Sequence, residues 1–459
     1  MNRTIRSLTI LLLAPLAALS AAGATPAQPN ILLLYADDLG YADLSCQVSR
    51  DVKTPQIDSL AAGGVRCTAG YVTAPQCSPS RAGLMSGRYQ QRFGHESNAN
   101  FPLMLMRGGC TIADPLRAAG YATGHFGKWH LGFSDLGSAP PEIRDGNDQM
   151  LPTQHGFAES FGYPEYGKAA RKGSDIEIAP HAYDDRVFAR KAADFIARHR
   201  DAPWFAYVAF HAPHTQHVDF GGYKASFPDA PKDRIGVVSV MAQQDAAVGI
   251  LLAKLRELGL EENTLIFYIS DNGGTRRSKG ETKHFTGSLN TPFSGDKGTA
   301  LEGGIRVPFI VQWKGSLPAG RIYDRPVITL DVMPTALAVA KAAPPAGLPL
   351  DGVNLMPFLL GNRSGDPHEV LFWRWHGEQA IRMGDFKLVH ADGQKTWRLI
   401  DIAKDLEEER DLTKEHPDLA QAMHARFEKW NAALPPVGRN FKDTTEGEEG
   451  GERKGKAKK

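Results

Sequence analysis

The sequence predicts an α/β fold: a large, mostly parallel sheet sandwiched by helices, followed by a smaller C-terminal antiparallel sheet and a helix. Three observations carry this expectation. Four short apolar runs have the composition of strands buried on both faces, and segments of helical periodicity separate them. Each run ends in a polar, chemically capable cluster rather than in a hairpin turn. Beyond residue 313 the pattern changes to short strands with Gly-Asp and Asp-Gly turns.

Taken in order, residues 1 to about 24 read as a secretory signal peptide. Arg3 and Arg6 form the charged start, Leu8 to Leu19 the apolar run, and Ala22-Gly23-Ala24 the cleavage site. The first strand, Asn30 to Ala36, runs into Asp37-Asp38-Leu39-Gly40. Next comes Cys77-Ser78-Pro79-Ser80-Arg81, where Pro79 suits the first turn of a helix and places Cys77 just before its N-terminus. There the helix dipole favours an anion, and Arg81, about one turn on, reaches back toward the same spot.

The second strand, Tyr121 to Phe126, leads into Gly127-Lys128-Trp129-His130. Helical spacing over Asp184 to Arg200 precedes the third strand, Trp204 to Phe210, and His211-Ala212-Pro213-His214. A second helix over Val237 to Leu258 precedes the fourth, Thr264 to Ser270, and Asp271-Asn272-Gly273-Gly274. The charges of both helices are expected to form solvated faces. After Pro308 to Trp313, residues 343–350 are rich in Ala, Pro and Gly. Strands are then expected over Val370–Trp375, Gln379–His390 and Thr396–Ile402, with a helix over Pro417–Leu434. This divides the chain into a signal peptide (1–24), an N-terminal domain (28–345), a C-terminal α+β subdomain (346–438) and a charged tail (439–459) read as disordered.

Composition narrows the partners. The 459 residues carry 53 Lys and Arg against 52 Asp and Glu, so any anion specificity is local and no nucleic-acid partner is indicated. No stretch after the signal is read as long and apolar enough to anchor the chain in a membrane. Four cysteines (Cys46, Cys67, Cys77, Cys110) match no metal-binding spacing and allow disulfides in an exported protein.

In open α/β sheets ligands bind beyond the carboxyl ends of the strands, so four such ends point to one composite site. Asp37, Asp38, Asp271 and Asn272 offer hard oxygen ligands, which suit Ca²⁺, or Mg²⁺ in tighter geometry, better than zinc.

Together with the Cys77 string, these residues resemble the type I, formylglycine-dependent sulfatases of the alkaline-phosphatase-like superfamily, bacterial arylsulfatases and polysaccharide sulfatases among them. The resemblance spans residues 29 to about 435. It implies that Cys77 is converted to formylglycine (3-oxoalanine) by a maturation enzyme, and that Asp37, Asp38, Asp271 and Asn272 hold one divalent cation, usually Ca²⁺, that also touches residue 77. It implies that Arg81 and Lys128 stabilise the hydrated aldehyde, that His130 takes a proton from it, and that His214 and Lys297 hold the sulfate and assist the leaving oxygen. Lys297 lies in Gly295-Asp296-Lys297-Gly298-Thr299, similar to the family's second signature region. Gln216 stands where many members have proline. The expected substrate is a sulfated sugar or polysaccharide, met in the periplasm or outside the cell. His95, Glu96, Arg374 and His376 are candidates to line a sugar pocket. The alternatives are a phosphatase or phosphonate hydrolase of the same superfamily, and an inactive carbohydrate-binding envelope protein.

Overall fold

The computed structural model describes residues 28–98, 103–106, 108–132, 150–163, 177–178, 184–215, 217–275, 287–391 and 393–436. The expected signal peptide, the charged tail and Gln216 lie outside the described residues.

Nine strands form the main sheet. From edge to edge they are Arg321–Tyr323, Val65–Cys67, Phe309–Gln312, Thr264–Ser270, Asn30–Asp37, Trp204–Pro213, Ala122–Lys128, Glu159–Tyr163 and Glu177–Ile178. Phe309–Gln312 pairs antiparallel with both neighbours, and every other described pairing in this sheet is parallel. The continuous apolar run of the central strand has a direct cause. Ile31, Leu33 and Tyr35 enter one core, Leu32, Leu34 and Ala36 the other, so no position along it faces water. Each such Leu or Ile contributes about 1.5–3 kcal/mol by leaving water.

Helices Pro55–Ala62, Asp185–Arg198 and Ile235–Glu257 cover one face. Cys77–Ser86 and Val332–Ala340 lie on the other, with the C-terminal unit beyond them. Ile235–Glu257 is long and apolar enough, by length and composition, to cross a membrane, contrary to the sequence expectation. Its Val238, Met241, Leu251 and Leu255 are nevertheless buried in the core. Most charges of these helices do face solvent, with two exceptions. Buried Asp245 accepts from the Gln56 and Ile57 amides, and buried Asp185 from those of His211 and Ala212, so both carboxylates anchor backbone.

The C-terminal sheet is an antiparallel meander of Leu371–Trp375, Glu378–Met383, Phe386–His390 and Arg398–Asp401. The single run expected over Gln379–His390 is two strands, because Gly384 adopts φ 55° and turns the chain between paired Met383 and Phe386. Helix Pro417–Ala432 closes this unit, with Trp430 stacked on Phe372 at 4.8 Å.

Candidate active site

Register places the acidic residues. Thr264–Ser270 runs parallel to Asn30–Asp37 with Ala36 opposite Ser270, so Asp37 and Asp271 leave the sheet side by side. Asp38 then turns back at φ 62°, a left-handed conformation that its short polar side chain tolerates. Its amide donates to Asp271 Oδ1 at 3.0 Å. Strand Trp204–Pro213 flanks the other side and includes Ala212-Pro213, and the strand beyond it carries Lys128 as its last residue. Both were expected in loops; ladder pairing extends the strands to include them. Gly127, at φ 108°, approaches Ala209 so closely that a Cβ would stand 1.9 Å from its carbonyl oxygen.

Cys77 is the first residue of helix Cys77–Ser86 rather than the residue before it, and Gln76 occupies the N-cap. The Cys77 Sγ lies 3.7 Å from Asp38 Oδ1. Ligand atoms of Asp37, Asp38, Cys77 and Asp271 all fall within 4.8 Å of one another. Asn272 Nδ2 donates to Asp38 Oδ1 at 2.7 Å. Among the described residues, the buried Asp37 Oδ1 and Asn272 Oδ1 accept no hydrogen bond. Oxygens left so at the centre of an acidic cluster fit a hard cation, the ligand chemistry expected of them.

Three cations balance the three carboxylates. Arg81 binds Asp271 Oδ2 through Nε (3.1 Å) and Nη2 (2.7 Å), and its Nη1 donates to Tyr207 Oη at 3.1 Å. Lys128 Nζ lies 2.7 Å from Asp37 Oδ2, and Lys297 Nζ 2.9 Å from Asp38. His214 Nε2 stands 3.8 Å from Asp38 Oδ2, with Nδ1 against Thr215 O. His130, at φ 54°, accepts through its carbonyl from Ser78 Oγ, one residue beyond Cys77. Nine of the ten predicted residues thus bring their side chains together at the carboxyl ends of the central strands, and His130 is placed beside them by its carbonyl.

Two profile matches coincide with this architecture. That of the sulfatase family covers residues 29–342, and that of the N-sulphoglucosamine sulphohydrolase C-terminal region covers 294–433. The chain belongs to the sulfatase family. It is 30% identical to the steryl-sulfatase of Mus musculus, over 91% of this chain and 84% of that one. It is 33% identical to the N-acetylgalactosamine-6-sulfatase of Canis lupus familiaris, over 82% and 74%. Among solved structures it resembles Ps i-CgsB in complex with k-i-k-neocarrahexaose, with a TM-score of 0.77 and 31% identity over 92% and 96% of the two chains. It is a sulfatase, an enzyme that hydrolyses sulfuric esters.

The electrostatics of this sulfatase site are those of a buried charge cluster. Burial raises the Asp38 carboxyl, but Lys297, His214 and the hydrogen bonds outweigh it and hold the group well below the usual range. Burial and the neighbouring Asp37 push Asp271 up to about 6, against the pull of Arg81. Burial also drives the Cys77 thiol well above its ordinary value despite Lys128 and Lys297 nearby. Reactive thiols need the opposite shift.

Three weaker candidates take other roles. His95 is fully buried, with Nε2 2.8 Å from Ser78 Oγ, and burial drops it to about 3, so it is neutral. Glu96 and Arg374 form a buried ion pair that also ties Arg374 to Asn431 and the Pro435 carbonyl. The Glu96–Arg374 pair ties the two units together, whereas the described partners of His95 lie within the N-terminal unit; His376 is exposed. All four cysteines are free, so no disulfide forms. Sequence reasoning passed over Tyr207 and Asp185, which read as strand and helix filler, and took His214 in preference to His211 from the same strand end. His211 groups with Asp37 and His214, and Asp185 fixes the backbone before His214 through the amides noted above.

Proposed function

We propose that this sulfatase removes sulfate from an O-sulfated carbohydrate through a formylglycine hydrate made from Cys77, with one divalent cation, Ca²⁺ or Mg²⁺, held by Asp37, Asp38, Asp271 and Asn272 beside residue 77. The observation that carries this reading is the environment of Cys77: buried, with its thiol pushed far up, yet aimed at an acidic cluster whose oxygens suit a cation. As a thiol it would be inert there. When present, the cation supplies neutralisation of sulfate charge, and the hydrate supplies a nucleophilic hydroxyl together with a second one whose deprotonation re-forms the aldehyde.

The chain's own residues do the rest. Arg81 and Lys128 fix residue 77 and stabilise negative charge on it. His130 accepts the proton of the remaining hydroxyl. Lys297 and His214 bind sulfate oxygens and stabilise the departing alcohol oxygen. Three carboxylates against three cations leave the protein site near neutral, so a divalent cation makes it attractive to an anionic ester.

The carbohydrate assignment is supported by similarity at 31% identity to a protein solved with k-i-k-neocarrahexaose, and the basic-apolar start of the chain supports export, to the periplasm or beyond. A formylglycine-generating maturation enzyme is the implied partner.

Two measurements test the reading. The ratio of kcat/KM for 4-nitrophenyl sulfate over the phosphate ester is expected to exceed about 100, roughly 2.7 kcal/mol of transition-state discrimination, and defined sulfated oligosaccharides should release sulfate. A preference for phosphate would replace sulfatase with phosphatase or phosphonate hydrolase chemistry as the main activity. Chelation is expected to abolish turnover and lower the unfolding midpoint. Ca²⁺ restored at about 100 times its Kd should return about 2.7 kcal/mol; a midpoint indifferent to metal would remove the cation from the proposal.

A further inference from the structure

We infer that the C-terminal sheet is part of the catalytic apparatus, and that Glu378 and Glu408 are positioning residues for Lys297. The inference rests on the role proposed above for Lys297. Residues 294–304, which carry Lys297, include four glycines and little regular structure; the described helix begins only at Glu302. The main domain holds this segment through the Lys297 and Gly298 amides, which donate to Gly274 O (3.3 Å) and Pro75 O (2.8 Å).

Asn290 Nδ2 and the Gly273 amide add bonds to the Gly295 and Gly304 carbonyls, and further hold comes from the other unit. Glu408 Oε2 accepts from Ser294 Oγ at 2.9 Å and from the Glu302 amide at 2.7 Å, bracketing the segment at both ends. Glu378 Oε2 accepts from the Ala300 amide at 2.8 Å. Trp375 lies against the middle, its ring 3.6 Å from where a Cβ on Gly298 would stand. Lys387, buried on the same sheet, donates to both Glu302 Oε1 and Glu408 Oε1 at 2.9 Å.

A flexible lysine on a glycine-rich segment pays rotamer and backbone entropy to stay on Asp38. Acceptors held by the C-terminal unit, Glu378 on its sheet and Glu408 in the segment after its last strand, remove that freedom before substrate arrives, and misplacement by about 1 Å costs up to about 100-fold in rate. None of these acceptors touches the reacting atoms.

The test is a double-mutant cycle on 4-nitrophenyl sulfate and on an alkyl sulfate with a poorer leaving group. Ser294→Ala with Glu378→Ala is expected to lower kcat about 10-fold, more on the alkyl ester, with a smaller change in KM. Glu378→Gln, which keeps an acceptor for the Ala300 amide, should stay near the parent. In a Lys297→Ala background the same pair of substitutions should cost nothing further, because the group they position is gone. Losses that simply add in that background, or a parent-like kcat in the double variant, overturn the inference. If Lys297→Ala alone leaves kcat/KM unchanged, the reading of Lys297 itself fails, and that result is read separately. Should the double variant unfold, Ser294→Ala alone decides, with about 3-fold in kcat expected and no loss overturning the inference.

Discussion

Cys77→Ser is expected to end multiple turnover of 4-nitrophenyl sulfate, a loss on the order of 10³-fold or more, while unfolding shifts by no more than about 1 kcal/mol. The geometry separates the two effects. A serine hydroxyl fits the volume of the thiol at the head of the helix and can donate to Asp38 Oδ1 where Sγ now lies 3.7 Å away. Packing is therefore kept. Chemistry is not, because a serine sulfated on its one oxygen has no second hydroxyl with which to expel the sulfate. At most one equivalent of nitrophenol per site should appear. Mass spectrometry of the peptide containing residue 77 completes the test: the parent, made in a host with a maturation system, should lack the thiol mass. Sustained turnover by the serine variant, or an active parent with an unmodified thiol, would refute the mechanism.

Arg81→Leu is expected to cost both activity and stability, the latter by about 3–5 kcal/mol, since it leaves a buried carboxylate without its partner. Out of a total of about 5–15 kcal/mol for a domain, that is a large share. Arg81 has no exposed surface and distributes its donors over Asp271, Tyr207 and the Lys128 carbonyl. Arg81→Lys should recover little of either quantity, because one ammonium cannot reproduce a fork that serves three acceptors. Urea midpoints and kcat/KM for the two variants decide the matter. A lysine variant with parental stability and rate would mean that charge alone, rather than the guanidinium geometry, is what the site requires.

The legible part of this protein and the illegible part differ in a physical way. Strands buried on both faces must be apolar throughout, so Asn30–Asp37 and Thr264–Ser270 announce themselves, and a polar residue that ends such a run has to lie at the sheet edge. Parallel, in-register neighbours then bring Asp37 and Asp271 together with little left to chance. Burial of polar groups does not announce itself. Glu96 and Arg374 look like solvent-facing sugar ligands in sequence, and what makes them structural is a partner far along the chain: they are 278 residues apart. The Glu302, Lys387 and Glu408 cluster escaped notice for the same reason. Short-range signals fared unevenly. Gly384 and Asp385 were visible as a turn pair, yet the run around them reads as one strand until cross-strand pairing splits it.

The bracketing of residues 294–304 by Glu378 and Glu408 also bears on how the enzyme comes into being. A ribosome delivers Cys77, the three site aspartates and Lys297 long before it delivers residue 408. A nascent chain at that stage can close its parallel sheet, since the nine strands all precede residue 324, but the segment bearing Lys297 has nothing on its outer side. Full positioning of Lys297 therefore waits for the turn that follows the last strand, Arg398–Asp401, so the finishing touch on the active site is among the last parts of the described chain to be synthesised.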